Sequence, residues 1–255
     1  MLSVKIRSFG TKPFQILSST SKLLEFQSFS SSSTIEDDSV NPESKTETLT
    51  PQLTQQELAK INLLIPRLCL TNNINTAINL TFTALQANPP PKSLSFSILT
   101  HSLTSQPDLV LPMALLTKLK HTPQAHSHLT LIATLLVSSY LRRGRPKDAL
   151  KVYNWMLRPG SPCKVERVVY QVLVDGLCRS GLVVEGLRVL RGILGMNLVV
   201  RSGLRKRVFR SLLREARIKE AKELDEALLC VENGEIEGLE KVLALLDRII
   251  ANWTE

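Results

Sequence analysis

The chain has 255 residues, a formal net charge of +9, 43% apolar residues and only 5% aromatics, a length that suits one or two domains with a real core. Eleven Gly and thirteen Pro are too few for a collagenous or Pro-rich chain, and the apolar content is too high for wholesale disorder. Few aromatics among many Leu and Ser leave little material for a β-sandwich, so helices are favoured.

Residues 1–35 carry ten Ser, the basic residues Lys5, Arg7, Lys12 and Lys22, and a single acid, Glu25. Leu2, Ile6 and Phe9 line one face of a short helix, and no apolar core of the kind a secretory signal needs is present. This composition predicts an organelle transit peptide, with the mitochondrion preferred over the plastid because the opening looks helical. Residues 36–54 read as a polar, disordered linker.

From residue 55 to 235 the chain reads as repeated helix-turn-helix units. Two stretches align, Ser139 to Met156 and Gly176 to Leu190. In both, a Gly is followed four residues later by an acid, then by a small residue, Leu and an apolar pair at helical spacing. Gly144 and Gly181 would end one helix in the left-handed conformation, and the small residue would let two helices approach closely. Extending the register gives a helix-ending slot at Asn72, Pro107, Gly144, Gly181 and Ala216. A small-residue slot follows at Ala77, Pro112, Ala149, Gly186 and Ala221. Pro112 is a mismatch at this slot, because it would sit in the first turn of the second helix only if that helix starts late. A period near 35 with two helices per unit is the signature of an α-solenoid, here of about five hairpins. Ile236 to Ile250, after an Asn233-Gly234 stop, would be a capping helix within 236–255.

The charge is uneven: residues 140–222 hold 20 basic against 6 acidic residues, and residues 223–255 hold 2 against 9. The basic middle points to a phosphate-rich partner. The longest apolar run, near Leu129 to Leu141, is broken by Ser138 and Ser139, and no membrane span is expected.

Val168-Val-Tyr170-Gln-Val-Leu173-Val-Asp-Gly176-Leu-Cys178-Arg-Ser-Gly181 resembles the first helix of a pentatricopeptide repeat, and Glu185 to Leu190 its second. Ser139 to Gly160 is similar. Pro90 to Lys120 echoes the repeat through Leu94-Ser-Phe96-Ser-Ile-Leu99; Leu58 to Ala87 and Arg205 to Leu229 do so more faintly. The tetratricopeptide repeat is the near relative, but its aromatic/Gly pattern is missing. The resemblance implies a right-handed all-α superhelix and binding of single-stranded RNA, in a family that is mostly organellar and whose long arrays are typical of plants.

In that family two residues per repeat read one base. The resemblance places the first of them at Asn62, Ser97, Thr134, Gln171 and Lys206, of which the first three are the small polar types such reading uses. The second would be Lys92, Leu129, Glu166 and Arg201. None of these four suits a base edge, so sequence-specific reading is not expected. Phosphate binding is: Arg207, Arg210, Arg214 and Arg217 fall within one helical arc, apart from Val208, Leu212 and Ala216.

Catalysis finds no support. The pair His126 and His128, near Pro123, has no carboxylate or Cys within ten residues and reads as a connecting loop. Cys69, Cys163, Cys178 and Cys230 form no C-x-x-C pair, no phosphate-binding Gly-rich loop is present, and Tyr153 and Trp155 sit at core spacing. No metal or cofactor is expected. The sequence thus predicts a non-catalytic organellar protein that binds single-stranded or ribosomal RNA through a basic concave surface. The alternatives are a structural subunit or assembly factor of the mitochondrial ribosome, partnered by ribosomal or other organellar proteins, and a protein-binding scaffold.

Overall fold

A computed structural model of the protein describes residues 53–87, 91, 93–198, 200–232 and 236–253. The expected leader at 1–35, nearly all of the linker at 36–54, Lys92 and the Asn233-Gly234 stop lie outside the described residues. Residues 49–255 form one compact unit. Its described part holds eleven α-helices, one 3-10 turn (Pro123–Ala125) and no strand. The helices are α1 (Gln55–Leu70), α2 (Ile74–Leu85), α3 (Ser97–Ser105), α4 (Val110–Lys120), α5 (His126–Arg142), α6 (Pro146–Met156), α7 (Arg167–Arg179), α8 (Val183–Gly195), α9 (Ser202–Arg214), α10 (Ile218–Glu232) and α11 (Ile236–Ala251).

The turn chemistry sets this pattern. Asn72, Gly144, Gly181 and Ala216 all have left-handed backbone, with φ of 60°, 68°, 77° and 57°. The next residue's N–H donates to the carbonyl five residues back each time: Asn73 to Leu68 (2.8 Å), Arg145 to Tyr140 (2.9 Å), Leu182 to Leu177 (3.0 Å) and Arg217 to Leu212 (3.0 Å). This bond satisfies a carbonyl that the helix end leaves orphaned and reverses the chain. At the remaining slot, Pro107, α3 has already stopped at Ser105 and Gln106 is extended.

The reversal places two helices side by side, and the small-residue slot sets their separation. Ala77, Ala149 and Ala221 are fully or almost fully buried. A Cβ on Gly186 would lie 3.1 Å from the Cys178 sulfur across the α7–α8 seam. Pro112 is the third residue of α4, a first-turn position where its missing N–H has no intrahelical partner to lose.

Each hairpin packs on the next. The first helices α1, α3, α5, α7 and α9 form a row in which each touches its successor, and the second helices lie against them. This is the expected all-α helical-repeat solenoid. Leu136, Tyr140, Leu173, Leu177, Leu187 and Leu190 are wholly excluded from solvent between the layers, each such aliphatic side chain contributing about 1.5–3 kcal/mol. Tyr153 and Trp155 are buried, as their spacing predicts. His126 and His128 are not in a loop: they open α5, where His126 Nε2 meets the Lys120 carbonyl at 2.8 Å and the His128 ring lies against Phe96. Burial holds the His128 pKa below the ordinary histidine value.

Helix α11 is the expected helix after the last hairpin. It packs on α10 and α8, both second helices, instead of continuing the row beyond α9. Val242, Leu246 and Ile249 make its buried stripe. Its polar edge is tied by Arg191 to Asp247 (Nη2 to Oδ2, 2.9 Å) and by Arg248 to Glu223. The Arg191 guanidinium holds Asp247 below the ordinary carboxylate pKa, so this link persists at neutral pH and is lost only on strong acidification.

Ala216 carries a Cβ in a conformation that costs L-residues about 1–2 kcal/mol. Ala216→Gly is expected to raise the urea midpoint by about 1 kcal/mol equivalent at unchanged m-value, while Gly181→Ala, at φ 77°, lowers it. Equal midpoints for both variants and the parent would contradict this account of the turns.

Candidate nucleic-acid interface

The solenoid brings the expected base-reading slots onto successive first helices: Asn62 on α1, Ser97 on α3, Thr134 on α5, Gln171 on α7 and Lys206 on α9. They are unequal in chemistry. The Asn62 amide is engaged within the fold, its Nδ2 donating to the Ser93 carbonyl (3.0 Å) and its Oδ1 accepting from the Ser95 N–H (3.1 Å). It splices the segment entering α3 onto α1. The Thr134 hydroxyl donates to the Thr130 carbonyl at 2.7 Å. Ser97 and Lys206 are exposed, and Gln171 is half-buried. Of the second slots, Leu129 is 0% exposed, and Glu166 and Arg201 are the cap residues that open α7 and α9.

The arginine arc is shorter than expected. Helix α9 stops at Arg214 and the chain turns left-handed at Ala216, so Arg217 lies outside the helix that carries the other three. Arg217 is instead a fastener: Nη1 pairs with Glu220 at 3.2 Å, Nη2 donates to the Asn252 carbonyl at 3.1 Å, and the guanidinium lies 4.6 Å from the Trp253 ring centre. Arg207 is also engaged, its Nε 2.6 Å from Asp175 on α7. Arg210 and Arg214 are exposed and meet no carboxylate among the described residues.

The sequence reading named Arg214 but missed the row of cations it belongs to. Arg142, Arg179 and Arg214 are the last residues of α5, α7 and α9. Each stands two residues before a left-handed turn residue, so the helix-ending slot itself was the signal that would have found them. There each cation faces the negative end of its helix dipole. All three are exposed; Arg179 is paired with Asp175, one turn earlier.

The two layers differ in charge. Helices α5, α7 and α9 carry eight basic residues (Arg142, Arg167, Arg179, Arg205, Lys206, Arg207, Arg210, Arg214) and one acid, Asp175. Their partners α6, α8 and α10 carry six basic residues against seven acids. The basic middle is therefore spread over both layers, but its excess sits on the first helices. Among the described residues the acidic C-terminal stretch takes few of these cations: Asp225 (3.1 Å) and Glu232 (3.5 Å) hold Arg205, while Glu223 and Asp247 pair with Arg248 and Arg191, and Glu220, just before that stretch, pairs with Arg217.

Among the described residues, no group of His, Cys, Asp and Glu could hold a metal ion, and no helix is long and apolar enough to cross a membrane. The family model for the PPR repeat, the pentatricopeptide type, matches residues 132–160 and 168–198. These matches coincide with α5–α6 and α7–α8, so the chain carries two PPR repeats within a longer helical stack. Such repeats point to a nucleic-acid-binding helical repeat protein. No curated protein matches the chain.

The placement of Arg217 makes a separable prediction. Arg217→Gln should lower stability by about 1 kcal/mol and reduce hydrogen-exchange protection at the end of α11, because it removes a cation–π contact and a carbonyl bond. Any nucleic-acid affinity should stay within twofold of the parent. A large loss of affinity with unchanged α11 protection would return Arg217 to the nucleic-acid surface.

Proposed function

We propose that the protein is a non-catalytic RNA-binding repeat protein whose first-helix layer engages the sugar-phosphate backbone of single-stranded RNA. The observation that carries this reading is the eight-to-one basic excess on α5, α7 and α9, set against near balance on α6, α8 and α10. Solubility alone asks for charge on both layers, and an anionic chain asks for it on one. Arg142, Lys206, Arg210 and Arg214 are exposed there without carboxylate partners among the described residues, and the planar guanidinium engages phosphate oxygens in pairs. The Ser-rich, acid-poor leader composition at 1–35 supports action in an organelle, with the mitochondrion preferred to the plastid. RNA metabolism or translation is the corresponding role.

A second reading, a subunit or assembly factor of a large organellar ribonucleoprotein such as the mitochondrial ribosome, draws on two details. Asn62 is consumed inside the fold and Leu129 is sealed from solvent. A protein that docks on the backbone of structured RNA loses nothing by this, whereas one that selects a transcript loses base contacts.

Binding should weaken steeply with salt. Four phosphate contacts give a slope of log affinity against log salt of about −3 for a single strand. Arg210→Glu with Arg214→Glu should shift affinity for a single-stranded oligonucleotide by at least about tenfold and flatten that slope. Unchanged affinity at low salt rejects the interface. Sedimentation of organelle extract with and without ribonuclease then separates the readings: comigration with ribosomal subunits supports the second, a small ribonuclease-sensitive particle the first.

A further inference from the structure

Where α3 and α5 run side by side, an open cleft of about 690 Å³ is lined by Ser97, Ile98 and His101 on one side and by Ser139, Arg142 and Arg143 on the other. Among the described residues no carboxylate lines it. Two consecutive guanidinium groups therefore face a shared space without an acidic partner, in a protein where Arg145, Arg179, Arg191, Arg205, Arg207, Arg217 and Arg248 all have one.

Arg143 is fixed as well as unneutralised. Its Nε donates to the Thr104 hydroxyl (3.1 Å), and its Nη2 reaches the His101 carbonyl (3.2 Å), the Ser105 hydroxyl (2.6 Å) and His101 Nε2 (3.0 Å). Every one of these acceptors is neutral; Nε2 accepts from a guanidinium only as the uncharged imidazole. The bonds hold the side chain in one place without cancelling its charge, so a ligand meets a cation whose ordering has already been done by the fold. Beside it, Arg142 is exposed and meets no partner among the described residues. The C-terminal ends of α3 and α5 lie close by, and their dipoles offset roughly half a charge each, which leaves about one net positive charge in the cleft.

We infer that this cleft is a phosphate-binding site of nucleotide size, in which Arg142 and Arg143 take the phosphate oxygens, the exposed Ser97 hydroxyl adds a hydrogen bond, and the exposed Ile98 side chain floors the space for a ribose or base, while the buried Ser139 hydroxyl is held by Thr104 at 2.7 Å and only shapes the wall. The volume falls within the range of small-ligand pockets. The site joins residues of the second and third hairpins, so an occupant also fastens one repeat to the next. The phosphate can come from an RNA chain or from a free nucleotide or pyrophosphate. The RNA-chain source rests on the proposed function; the phosphate chemistry does not.

The test uses the full chain, Arg142→Gln and a control, Arg188→Gln, at an exposed position on α8 that meets no carboxylate among the described residues. Affinity for a twelve-nucleotide single-stranded RNA is read by fluorescence anisotropy. Thermal midpoints are read with pyrophosphate or uridine monophosphate against chloride at constant ionic strength. A phosphate site predicts that Arg142→Gln weakens RNA binding about tenfold and abolishes the rise in midpoint, with Arg188→Gln matching the parent. If only the pyrophosphate and nucleotide responses depend on Arg142, the site holds and its phosphate comes from a free ligand. If the parent binds RNA and Arg142→Gln behaves like Arg188→Gln in both assays, the cleft is no phosphate site although the RNA reading stands. If the parent binds no RNA at low salt, the RNA reading falls and the pyrophosphate arm alone decides the cleft.

Discussion

The repeat of this fold follows from how four of its five first helices stop. At Asn72, Gly144, Gly181 and Ala216 the backbone turns left-handed and the following N–H reaches back to the fifth preceding carbonyl. That bond satisfies the helix end and fixes the angle at which the second helix departs. Five residues on, a small or first-turn residue sits at the seam, so the two helices close to contact distance. Because the geometry recurs at nearly constant intervals, each hairpin leaves the same two faces uncovered, and the next hairpin covers one of them. A row of first helices is the consequence, and a surface one helix layer deep becomes continuous across five repeats.

Such a row turns a sequence accident at one slot into a line on the surface. A basic residue two positions before the turn becomes Arg142, Arg179 and Arg214, stationed at three successive helix ends. The single acid of these three helices, Asp175, pairs with both Arg179 and Arg207, so the fold spends one carboxylate on two cations and leaves the flanking arginines open. The layer behind balances its own charges. Segregation of this kind is a property of the stack, since the linear sequence intermixes the same residues.

The hairpins were legible because their determinants are local. A left-handed backbone calls for Gly or Asn, close approach calls for Ala or Gly, and both recur at readable spacing. The site was legible only in part. The register placed Asn62, Ser97, Thr134, Gln171 and Lys206 on consecutive first helices, but the engagement of Asn62 depends on backbone atoms of Ser93 and Ser95, some thirty residues away in sequence and not marked by any side chain. The pairing of Arg207 with Asp175 likewise crosses between helices. Arg217 is a different case. An arc drawn at 100° per residue passes through it, yet Ala216 occupies the helix-ending slot of the same register, so the repeat contained the information that excludes Arg217 from the arc.

The position of α11 links the acidic C-terminal region to the rest. A helix continuing the stack would lie against α9 and bring its acids to the edge of the cationic row. Helix α11 lies on α8 and α10 instead, and Asp247, Glu223 and Glu220 are spent on Arg191, Arg248 and Arg217. Among the described residues, Arg205 alone of the α9 cations is drawn into the acidic region, through Asp225 and Glu232. Two acids of residues 223–255, Asp247 and Glu223, thus help to hold the last helix on the second-helix side. Among the described residues Arg210 and Arg214 meet no carboxylate at the C-terminal end of the row, and neither do Arg142 and Arg143 near its middle. A polyanion that follows the first helices would meet these two cationic stations in succession.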